Sequence, residues 1–87
     1  MITATDLRLA AAALHRCRTL DQADKALEVV FPGPAGRGQR WGCWDGWRGR
    51  PCCPFVKDDT PATDKEVRDY KEAFEAGRRM ALMEHPA

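Results

Sequence analysis

The residues best suited to chemistry are crowded into one stretch. Trp41 to Cys53 reads WGCWDGWRGRPCC and contains all three tryptophans and three of the four cysteines of the chain. Cys43, Cys52 and Cys53 are soft ligands, and His15 and Cys17 could complete a metal-binding set. Zinc takes four such ligands at tetrahedral angles, usually from paired C-x2–4-C knuckles. No knuckle is present. The adjacent side chains of Cys52 and Cys53 diverge. His15 and Cys17, two positions apart on a helix, point about 200° away from each other. A zinc-stabilised domain is therefore the weakest reading, and no metal or other cofactor is expected. A nucleophilic cysteine needs a nearby base, and His15 and His85 are the only histidines. We expect no catalytic residues and no enzyme activity.

The same stretch has a second chemistry. Arg37, Arg40, Arg48 and Arg50 alternate with Trp41, Trp44 and Trp47, and Lys57 follows. Arginine neutralises phosphates, and a tryptophan face accepts a stacked base. These five basic residues are the candidate nucleic-acid contacts. The tryptophans are the candidate partner-binding residues, because tryptophan and arginine dominate protein interfaces as well. A small accessory or inhibitory protein that binds another protein, or itself, through Trp41–Trp47 or through an acidic helix is the alternative.

A helical wheel gives the stretch a packing role. At about 100° per residue, Gly38, Gly42, Gly46 and Gly49 fall within an arc of about 80°, and the tryptophans fall on another. A helix over 38–48 would press its glycine face against a neighbour, ended by Pro51 and pinned at Pro54. Its glycines cost roughly 3–4 kcal/mol in helix propensity, so tertiary contact must sustain it. The expected mate is Gly77, itself a costly residue on an apolar helical face. The arginines would stay outside. An irregular turn is the other possibility.

The flanking elements must position this stretch. Leu7, Ala10, Ala11, Leu14 and Cys17 form one apolar stripe, and Leu20, Ala23, Leu27 and Val30 another. They predict helices over 5–17, capped by Thr5, and 19–31, with Thr19 and Gln22 as a capping box. FPGP at 31–34 ends the second. A third prediction covers 63–84. Thr63 and Glu66 form its capping box, and Val67, Tyr70, Phe74, Gly77 and Ala81 line one face. Lys65–Asp69, Arg68–Glu72, Lys71–Glu75 and Glu75–Arg79 are spaced for i,i+4 pairs. No strand pattern competes. We expect an all-α single domain over 1–87: N-terminal helices to 31, a Gly/Trp/Cys-rich middle over 32–62, and a C-terminal helix over 63–85.

Charge is segregated along the chain. The formal net charge is +1. Residues 33–57 have five basic side chains against one acidic, for +4, and residues 58–76 have three against seven, for −4. A basic, aromatic island beside an acidic helix suits an anionic partner, or the two neutralise each other within the fold. No leader pattern and no membrane-length apolar run is present, so a cytoplasmic protein with reduced thiols is expected.

The order of these motifs resembles the ribosome modulation factor family and its small relatives. A glycine- and aromatic-rich helix is followed by CPF (Cys53, Pro54, Phe55), a turn, and a helix reading YKEAFEAG (70–77). Chains of that family read as a G-x-x-A/G helix, a Cys/Asn-Pro-aromatic turn and a W-x-x-G-F/W-x-x-G/A helix. The resemblance covers about residues 40–80, with Tyr70 in place of the tryptophan, Ala73 at the second glycine position and a long connector between Phe55 and Tyr70. It implies a non-enzymatic regulator associated with the ribosome. The family's namesake is strongly basic, whereas this chain is nearly neutral.

Overall fold

The computed structural model describes residues 2–50, 56–57, 60–61 and 63–84. The fold is all-α. Its helices are α1 (Ala4–Leu14), α2 (Leu20–Leu27), α3 (Arg37–Trp47) and α4 (Asp64–Glu84), with a 3-10 turn, Pro34–Gly36, leading into α3. Two antiparallel two-residue strands, β1 (Val56–Lys57) and β2 (Thr60–Pro61), pair Val56 with Pro61 and Lys57 with Thr60. Sequence periodicity gives no sign of this hairpin, since two residues cannot show alternation.

The helices begin where side chains satisfy their first N–H groups. Thr3, not Thr5, caps α1: its Oγ1 accepts from the Asp6 N–H, and the Asp6 carboxylate accepts from the Thr3 N–H. Thr19 caps α2 by accepting from the Gln22 N–H, but the Gln22 side chain reaches back to the Arg18 N–H instead of the Thr19 N–H. The Thr63–Glu66 box forms as expected at the head of α4. Both N-terminal helices stop short of their predicted ends, α1 at Leu14 and α2 at Leu27. The apolar stripes nevertheless continue into the turns, where Cys17 and Phe31 are buried.

Helices α3 and α4 form the centre of the molecule, and they run in the same direction. Gly38, Gly42 and Gly46 lie against the carbonyls of Glu66, Tyr70 and Phe74, advancing four residues at a time on both helices. A methyl added at Gly38 would stand 2.8 Å from the Glu66 oxygen, and one at Gly42 or Gly46 would overlap the facing carbonyl outright. From the other side, Gly77 lies against the Cys43 carbonyl. Backbones approach this closely only when no Cβ intervenes, so each glycine Cα–H points at a carbonyl, the geometry of weak Cα–H···O contacts. Gly49 does not share this face. It ends α3 at φ +70°, donating to the Gly46 carbonyl while Arg50 donates to the Asp45 carbonyl, a Schellman motif. Helix α3 therefore ends at Trp47 through Gly49, before Pro51 is reached.

Helix α1 also runs along α4. The Ile2 N–H donates to Glu72 at one end, and His15 meets Glu84 at the other. The core between the helices contains Ala10, Leu14, Leu27, Cys43, Trp44 and Ala73. Of the four i,i+4 pairs on α4, Lys65–Asp69 closes at 2.7 Å. The other three form no ion pair among the described residues, and Glu72 serves Ile2 instead.

Candidate nucleic-acid interface

The basic and aromatic residues of α3 divide into an inner and an outer set. Arg40 belongs to the inner set, which corrects the expectation that all the arginines lie outside. It is 7% exposed. Its Nε donates to Asp24 Oδ1 at 2.7 Å, and its Nη1 donates to the carbonyls of Phe31 and Gly33 at 2.7 and 2.8 Å. The Trp41 Nε1 donates to the same Asp24 oxygen at 3.0 Å. One carboxylate on α2 thus fastens two α3 side chains, and Arg40 ties down the turn between the helices. Asp24 was missed in the sequence because nothing distinguishes it from its neighbour Asp21 on α2. Three of its five N–H donors are thus engaged inside the protein, and its burial keeps Arg40 off the open surface where a phosphate would bind.

Arg37 is half-buried and engaged as well. Its guanidinium donates to Glu66 at 2.8 Å and lies 5.2 Å from the centre of the Trp41 ring. This hydrogen bond, with a further one from the Thr63 N–H, holds the Glu66 carboxyl below its ordinary 4.5. Asp45 is buried, and accepts from the Tyr70 hydroxyl at 2.5 Å. These two contacts join α3 to α4 alongside the glycine seam.

The tryptophans also lie mainly inside. Trp44 is fully buried, and Trp41 is 9% exposed. Neither face is open for a base. The Trp44 Nε1 has no hydrogen-bond partner among the described residues. Trp47 is half-buried, with its ring edge-to-face against His15 at 5.0 Å between centres. His15 in turn stands 3.4 Å from Glu84, so this small cluster joins α1, α3 and α4.

Cys43 is completely buried, and removal from water pushes its thiol up to about 12. Burial also raises Cys17, whose Sγ donates to the Ala13 carbonyl. Both thiols are free. Among the described residues no three histidine, cysteine or carboxylate side chains gather as metal ligands. The candidates Cys52 and Cys53 lie outside the described residues, as does the Lys57 side chain.

The outer set consists of arginines around the C-terminal end of α3. Arg48 and Arg50 are exposed, Arg48 lying over the Trp44 ring at 5.4 Å. Arg78 leaves α4 opposite Gly46, which packs on its backbone nitrogen. Arg16 follows His15, the residue in contact with Trp47. Arg16 and Arg78 are exposed too, and none of the four forms an ion pair among the described residues. Sequence reading missed Arg16 and Arg78 as members of this group. Only the parallel course of α1, α3 and α4 brings them to one end.

The class defined by fold and surface is a small all-α bundle with an arginine-rich end. Comparison with protein-family models, with curated proteins and with solved structures finds no match. No helix among the described residues is long and apolar enough to cross a membrane.

Proposed function

We propose that this chain is a non-enzymatic regulatory protein that binds RNA, in keeping with its resemblance to the ribosome modulation factor family, and that it does so in the cytoplasm. The observation that carries this reading is the group of exposed arginines, Arg16, Arg48, Arg50 and Arg78, at one end of the bundle without carboxylate partners among the described residues. Arginines at helix C-termini also complement the helix dipole, which accounts for Arg48 and Arg50 on structural grounds alone. It does not account for Arg78, which lies within α4. Four unneutralised guanidinium groups in one region favour a partner with closely spaced negative charge. Arg37 and Arg40 have no part in it. Of the tryptophans, only the partly exposed Trp47 is placed to add a stacking contact.

Co-sedimentation with purified ribosomes at low salt tests this reading. The wild-type chain is expected to sediment with them and to be released as salt rises. Failure to associate with either ribosomes or free RNA at low salt ends it. A second reading, a protein-binding module, is favoured by an apolar groove between α1 and α4. Capture from lysate that survives nuclease treatment would distinguish it.

A further inference from the structure

The α1–α4 groove adjoins the arginine end, sharing Glu84 with the His15–Trp47 contact, but its apolar lining has no part in the RNA reading. It has a volume of about 300 Å³, with Leu7 and Ala11 of α1 and Met80 and Met83 of α4 on its apolar walls. Beside it, large apolar side chains stand in water: Met83 is 82% exposed and Leu82 60%. Leu9 of α1 is also exposed, at 51%, but it does not line the groove. An apolar groove rimmed by polar residues, with an exposed methionine on its wall, offers a place for another surface to pack.

The charges on the groove indicate what covers it. Arg8 lies on the α1 rim, and Glu84, which faces His15 at 3.4 Å and stays 44% exposed, lies on the α4 rim. A two-fold interface requires a self-complementary patch, in which residue i meets residue j of the other copy and j meets i. An apolar floor with opposite charges on its two sides, next to a protruding methionine, meets that requirement. Methionine is flexible and fills irregular gaps, so Met83 of one copy suits the groove of the other. A nucleic acid or an anionic membrane would call for surplus positive charge here, and the rim charges balance. With a net charge of +1, two copies repel each other only weakly.

We propose that the chain forms a symmetric homodimer through the α1–α4 groove, with Met83 packed into the partner copy's groove and Arg8 paired with Glu84 across the two-fold axis. Sedimentation equilibrium of the full chain in the absence of RNA tests this. The weight-average mass is expected to rise with concentration from the monomer's 9.8 kDa towards twice that value. Met83→Asp and Arg8→Glu are each expected to weaken association by about tenfold or more, a change of about 1.4 kcal/mol or more. The swap Arg8→Glu with Glu84→Arg is expected to restore it. Both altered side chains in the single variants are exposed, and unchanged circular dichroism would show that folding is intact. A wild-type chain that stays at 9.8 kDa up to about 1 mM overturns the proposal. So does a dimer indifferent to Met83→Asp and to the swap. A monomeric wild type whose binding to some other protein is lost in Met83→Asp would assign the groove to that protein and equally overturn the dimer.

Discussion

Arg40 shows how one side chain can be removed from a surface role by its neighbours. Its guanidinium donates to Asp24 and to two backbone carbonyls in a buried site. Replacing Asp24 with alanine leaves that charge uncompensated. Because Asp24 is itself 37% exposed, the loss is expected near 2–3 kcal/mol, below the 3–5 kcal/mol typical of fully buried pairs. Urea denaturation would measure it, with Arg50→Ala as a control expected to fall within about 0.5 kcal/mol of wild type. Glu66 makes a pH-dependent contribution. Its folded-state pKa is lowered below 4.5, chiefly by the Arg37 hydrogen bond. The stabilisation is therefore fully present above that value and is lost as pH falls through the folded-state pKa. Arg37→Gln is expected to flatten the acid limb of a stability–pH curve measured by thermal melts. Cys43, with its thiol at about 12, is expected to resist alkylation in the native protein at pH 8 and to react at the ordinary rate in denaturant, as read by mass spectrometry at that position.

At the scale of elements, the glycine seam determines how α3 meets α4. Alanine is the better helix former by about 1 kcal/mol, so Gly42→Ala and Gly46→Ala would stabilise an isolated α3. In the protein each new methyl would meet a backbone carbonyl of α4, which cannot rotate away as a side chain could. Both variants are expected to lose about 1–3 kcal/mol or more, seen as a lower melting temperature. The seam was legible in the sequence, because glycines repeated every four residues leave one side of a helix bare, and Gly77 marked the facing helix. The direction of packing was not legible. A glycine repeat permits parallel or antiparallel approach, and only the course of the chain between Trp47 and Asp64 decides. The end of α3 lies within one residue of the expected one, but what ends it was misassigned for a related reason. Gly49 continues the glycine arc on a wheel, yet a glycine two residues past Trp47 also suits the left-handed position of a Schellman motif, and that use prevailed.

At the scale of the whole molecule, helix direction sorts the charge. The N-terminal halves of α3 and α4 bring Arg37 to Glu66, while the C-terminal end of α3 lies near the Arg78 backbone and near His15, which precedes Arg16. The carboxylate at this end, Glu84, faces His15 and no arginine among the described residues. Half of the arginine surface could be read from the sequence, since Arg48 and Arg50 lie beyond the buried part of α3. Arg16 and Arg78 could not, because they come from helices distant in sequence. Arg40 was misjudged, and the burial of the tryptophans could not be decided, for the converse reason: composition alone does not reveal which side chains so small a core draws in. The central claim is that the exposed arginines, and not Arg40 or the buried tryptophans, meet a polyanion. The direct test is fluorescence anisotropy of a labelled single-stranded RNA across a salt series, for the wild type and for Arg48→Glu/Arg50→Glu. The logarithm of affinity is predicted to fall linearly with the logarithm of salt concentration, by about 0.7 per phosphate contact, and the double variant to bind more weakly with a shallower slope. A wild type with no salt-dependent binding, or a double variant with unchanged slope and affinity, would contradict the account.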